Sequence, residues 1–136
     1  MTQLLSFVTA LWLVISIPAA MAQLVPWGQN VPIAISGAKT TQLVAASGST
    51  KIYVTAWDVF ANSATSFTLE YGTQTTNPCD TGTTALTGTY NFAADSGISA
   101  SGGVQALYVV PTGYALCAVT AGTGGSIAGS LSFTQN

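Results

Sequence analysis

At 136 residues the chain is one domain's worth. It carries two Lys, no Arg, no His and four acidic residues, for a net charge of −2. That composition excludes a nucleic-acid binder, which needs a basic patch to neutralise phosphates. It also excludes a Ser-His-Asp triad, a Cys-His pair and an Arg clamp for phosphoryl transfer.

The first elements in the chain read as a targeting segment. Leu4, Leu5, Phe7, Val8, Leu11, Trp12, Leu13, Val14, Ile15 and Ile17 form an apolar run that Pro18 ends. Ala20-Met21-Ala22 follows, with small residues where a signal peptidase cuts. Residues 1–22 are therefore expected to be an apolar N-terminal helix acting as a secretory signal peptide, with a mature start at Gln23. The alternative is an uncleaved membrane anchor or buried helix, although the run is short for a bilayer. Residues 23–136 then form the folded domain.

The rest of the chain is punctuated by Gly, Pro, Asn and Ser every eight to twelve residues, the spacing of short strands in a sandwich or barrel. Val31, Ile33 and Ile35 alternate up to Gly37, and Leu43 to Ala46 is a second short run. Lys51 to Ala61 is the longest strand candidate. Phe67, Leu69 and Tyr71 alternate with Ser66, Thr68 and Glu70, and Leu86, Tyr90 and Phe92 share a face opposite Thr87, Thr89 and Asn91. Period two means half-buried strands. Gln105 to Pro111 reads as a central strand, and Pro111-Thr112-Gly113 as a turn that returns Tyr114 to Ala121 as a hairpin arm. Gly122-Thr123-Gly124-Gly125 reads as a second hairpin turn. The last strand places Ile127, Leu131 and Phe133 opposite Ser126, Ser130 and Ser132. About eight strands predict an all-β, single antiparallel sandwich, most naturally of jelly-roll type.

Cys79 and Cys117 are an even pair in a chain that reads as exported, which predicts a disulfide; in a reducing compartment they would be two buried thiols. No cofactor is expected, and with no His a tetrahedral zinc site lacks ligands. The acids are Asp58, Glu70, Asp80 and Asp95. Glu70 falls on a polar strand face and Asp95 precedes the loop Ser96-Gly97. Asp80-Thr81-Gly82 matches the short aspartic-protease signature, but that chemistry needs two carboxylates sharing a proton, and a turn is the simpler reading. By parity Asp58 shares a face with Ile52, Val54 and Phe60, so it must be hydrogen-bonded, or a bulge must turn it to solvent. Trp27, Tyr53, Trp57, Tyr108 and Tyr114 could form a sugar-stacking or interface surface, although such residues more often lie in a core.

Several phrases, in order, carry a resemblance: Lys51-Ile52-Tyr53-Val54-Thr55-Ala56-Trp57, Phe67-Thr68-Leu69-Glu70-Tyr71-Gly72-Thr73, Cys79-Asp80-Thr81-Gly82-Thr83-Thr84-Ala85-Leu86-Thr87-Gly88, Val109-Val110-Pro111-Thr112-Gly113-Tyr114-Ala115-Leu116-Cys117, and Gly129-Ser130-Leu131-Ser132-Phe133-Thr134-Gln135. Together they resemble small virion-associated structural proteins of tailed phages and prophages. The resemblance implies a non-enzymatic β-sandwich that decorates, cements or attaches, with other coat proteins and further copies of itself as partners. The N-terminal apolar segment departs from that pattern. Low charge removes the usual defence against association and points the same way, towards a homo-oligomer. The alternative is a secreted carbohydrate-binding or adhesin module. Either reading places the working protein outside the reducing cytoplasm, exported or on a virion.

Overall fold

The computed structural model describes residues 28–136, which form ten strands and no helix. The apolar N-terminal segment, its proposed cleavage site and Trp27 lie outside the described residues.

The strands are β1 (Gln29–Ser36), β2 (Lys39–Val44), β3 (Ile52–Ala61), β4 (Thr65–Thr73), β5 (Thr81–Ala85), β6 (Tyr90–Phe92), β7 (Ser96–Ser101), β8 (Tyr108–Val110), β9 (Ala115–Ala121) and β10 (Ser126–Gln135). They build two antiparallel sheets. Sheet A runs β1-β10-β3-β7, with β8 also on β3; sheet B runs β2-β9-β4-β5, with β6 also on β4. In sheet A, β7 pairs with Ala56–Ala61 and β8 with Ile52–Val54, so the two short strands lie end to end along one edge of β3. In sheet B, β5 and β6 share one edge of β4 in the same manner.

One core lies between the sheets. Ile33, Ile35, Val54, Trp57, Val59, Ile127 and Leu131 come from sheet A, and Phe67, Leu69, Leu116 and Ala118 from sheet B; all are buried. Trp57 and Phe67 meet across the gap with ring centroids 5.7 Å apart. Burying each such side chain contributes about 1.5–3 kcal/mol.

Several expectations need correction. The segment 86–92 is not one strand. Thr87 is buried there, and its hydroxyl takes the Leu69 amide at 3.0 Å, so the chain breaks between β5 and β6. The loop expected after Asp95 is strand β7, whose residues Ser96–Ser101 offer only Ile98 as a large apolar side chain to mark it. The Val109 region forms a three-residue edge strand rather than a central one, because Pro111 offers no amide to extend it. Tyr114 to Ala121 is not its hairpin arm: β8 belongs to sheet A and β9 to the centre of sheet B. Gly122–Gly125 likewise crosses between sheets, using positive φ at Gly122 and Gly124.

Candidate functional site

Asp58 reaches solvent because β3 carries a bulge. Its register against β10 shifts between Ser132 and Phe133, which face Ala56 and Val54, leaving Thr55 as the extra residue. A bulge adds one residue and flips every later side chain to the other face. Ile52 and Val54 therefore point into the core before it, while Trp57, Val59 and Ala61 do so after it. Asp58 and Phe60 turn outward, contrary to simple parity, and Phe60 is 50% exposed.

The outer face of sheet A can be read from its registers. One cross-strand row is Ala34, Ala128, Phe60 and Gly97; the next is Pro32, Ser130, Asp58 and Ser99; the third is Asn30, Ser132, Ala56 and Ser101. Apart from Phe60 these side chains are short. The face is flat, with its backbone close to the surface.

A shallow depression of about 210 Å³ opens around Asp58, lined by Ala56, Ser99, Ser101, Ser130 and Ser132. The Ser130 hydroxyl donates to the Asp58 carboxylate. A carboxylate ringed by serine hydroxyls can accept from an ammonium, a guanidinium or a polyol. Of the other three acids, Glu70 is on β4 of sheet B, Asp80 is at the end of the loop before β5, and Asp95 is in the turn before β7. The period of the last strand puts Ser130 and Ser132 on its polar face, but nothing in the sequence brings them to Asp58 or marks Ser99 and Ser101, because 96–101 lacks a strand's apolar pattern and no residue announces the bulge.

The candidate aromatics among the described residues do not share one surface. Trp57 is 2% exposed, within the core, against Phe67 and against Tyr90 at 5.6 Å. Tyr108 is half-buried at the same side of the core, and burial raises its phenol above the ordinary range. Tyr114 packs edge-on against Tyr71 at 5.2 Å. Tyr53 alone faces outward from sheet A, beside the exposed Val109.

Cys79 and Cys117 are joined by a disulfide. Leu116 and Ala118 belong to the main core, so Cys117 projects from the opposite, outer side of sheet B. The bond ties the loop 74–80 down over that side. Gly72 makes room for it, since a Cβ there would stand 3.1 Å from Cys79. The Asp80 carboxylate fastens the loop from within, accepting the amides of Thr75, Thr76 and Asn77 and the Thr75 hydroxyl, each at 2.8 Å. Those donors hold its pKa well below the usual carboxylate range. With its oxygens engaged by its own loop, Asp80 acts as a turn-forming residue. Glu70, opposite Cys117 in the ladder, has its carboxyl raised by burial.

No protein-family model matches the chain. No curated protein matches it in sequence either. Among solved structures, a chain in the structure of infectious bursal disease virus, Gx strain, is similar at 17% identity and a TM-score of 0.34. The similarity covers 77% of this chain and 32% of that one, so this chain spans about a third of the other's length. A TM-score of that size carries no functional argument.

Proposed function

We propose that the chain is a non-enzymatic structural protein of jelly-roll type, displayed outside the reducing cytoplasm as a decorating, cementing or attachment component of a phage particle. Counting each end-to-end pair of short strands as one, the sheets read β1-β10-β3-(β7, β8) and β2-β9-β4-(β5, β6), and β1–β2, β3–β4 and β9–β10 each cross from one sheet to the other. That order supports an eight-stranded double-sheet roll. The observation that carries the reading is the outer face of sheet A. Its three rows through Phe60, Asp58 and Ala56 are flat and short apart from Phe60, with Tyr53 and exposed Val109 at one end, as suits a surface that packs against another protein. The phage-like phrases in the sequence supply the particle, and the disulfide suits an oxidising location.

Mass spectrometry of density-purified particles, reading copy number and N-terminus, tests this. Many copies co-sedimenting with a capsid protein support it. Absence from particles, with chains starting at Gln23 in the periplasm or medium, overturns it in favour of the secreted binding module. That rival is weakened by the burial of Trp57, which removes the strongest stacking ring from the surface.

A further inference from the structure

The outer face of sheet A is self-complementary in charge. Lys51 leads into β3 and is exposed; its backbone pairs with Asn136 in both directions, at 2.7 and 3.1 Å, extending the β3–β10 ladder. Ile52 points into the core, so alternation puts Lys51 and Tyr53 on the outer side. The bulge at Thr55 then brings Asp58 onto that same side, toward the other end of the strand. The face therefore carries the cation Lys51, one residue before β3, and the anion Asp58, about 20 Å apart along β3, while Asp95 lies in the turn that enters β7 at the edge of the sheet.

From this arrangement we infer that two copies of the chain pack sheet A against sheet A, with antiparallel β3 strands related by a two-fold axis near Thr55. Lys51 of each copy enters the serine-lined depression of the other and meets Asp58. The contact is isologous, so the ion pair forms twice. The depression, about 210 Å³ and lined mainly by Ala and Ser residues beside Asp58, admits an ammonium on its methylene stem. Between the two ion pairs lie Tyr53 and Val109, the latter 44% exposed, facing the flat Ala56 region of the other copy. The face spans four strand positions and the length of β3, about 600 Å² on each copy, which reaches the lower end of specific interfaces. Such a dimer is weak alone and suits a component held at high local concentration on a particle. The inference extends the structural reading without depending on it: the dimer is measured in solution, so its failure leaves particle association open, and absence from particles leaves the dimer open.

Sedimentation velocity on the oxidised full-length protein, at low and high salt, tests it. The wild type is expected to dimerise in a concentration-dependent manner that salt weakens. Lys51→Asp or Asp58→Lys alone sets like charges against each other and abolishes the dimer, and the double variant K51D/D58K restores it. Lys39→Asp, on β2 of the other sheet, leaves it unchanged. Should a reversal variant fail to fold by circular dichroism, Lys51→Gln and Asp58→Asn are used instead and weaken association about tenfold. A wild type that stays monomeric, folded single variants that dimerise normally, or a folded double variant that stays monomeric overturns the inference.

Discussion

Asp80 shows how one side chain can organise a loop without being buried. It is exposed, yet its two oxygens gather four donors from residues three to five positions earlier in the chain. Its folded pKa lies below the ordinary aspartate value of 3.8. A depressed carboxylate contributes stability that is fully present above about pH 4 and drains away as pH falls through the lower, folded value. The amide resonances of Thr75, Thr76 and Asn77 are therefore expected to hold still from pH 7 down to about pH 4 and to move together only below it. Asp80→Ala should abolish that joint movement and speed amide exchange across the loop. Movement centred near pH 4 would show that the carboxylate is not held by these donors. Trp57 illustrates the opposite case. The sequence leaves it open between a ligand-stacking surface and the core, and the bulge at Thr55 turns it into the core. Trp57→Ala is accordingly expected to cost about 3–5 kcal/mol in urea unfolding, the range for large core truncations. Alternation is legible in β3 and a bulge is not, because no side chain at Thr55 announces the extra residue. That single residue decides the fate of both Asp58 and Trp57.

At the scale of elements, the strands with clean alternation were the legible ones: β1, β4 and β10 lie where the period-two pattern puts them. The short edge strands were not, since β5 is exposed throughout and β7 buries little, leaving no apolar stripe to read. Edges also need protection from further pairing. β1 has Pro32 in its middle, facing outward and lacking an amide hydrogen. The disulfide acts between elements, linking the loop before β5 to the central strand β9 across a separation of 38 residues. Closing a loop of that size removes unfolded-state entropy worth about 4 kcal/mol on the chain-entropy model. Cys79→Ala with Cys117→Ala should lower unfolding stability by about 2–4 kcal/mol without altering the far-ultraviolet spectrum. Denaturant titration measures it, and a change below about 0.5 kcal/mol would mean that Asp80 and the Gly72 contact hold the loop unaided.

For the whole molecule, the pairing of the first and last described strands matters most. β10, the last strand, lies between β1 and β3 and supplies Ile127, Leu131 and Phe133 to the core. The first and last strands described pair along their length, from Gln29–Phe133 to Ser36–Ser126. This closure was not legible in sequence, where neighbouring runs suggested hairpins; the turns at Pro111–Gly113 and Gly122–Gly125 instead switch sheets, and nothing in a turn's composition states which sheet the next strand joins. Sheet A is thus incomplete until the final residues are available, and without them β1 has no strand beside it and β3 loses its longest neighbour. Dominant long-range pairing also slows folding, and refolding of the oxidised chain is expected in about milliseconds to seconds. Deleting residues 127–136 should leave a chain that does not fold, with no cooperative unfolding transition by circular dichroism. Deleting only Gln135 and Asn136 removes the Lys51 pairing at the end of the ladder and should cost about 1–2 kcal/mol while preserving the transition. A cooperative transition in the longer deletion would show that β1, β3 and sheet B form a stable unit by themselves, and that the central position of β10 closes the fold rather than creating it.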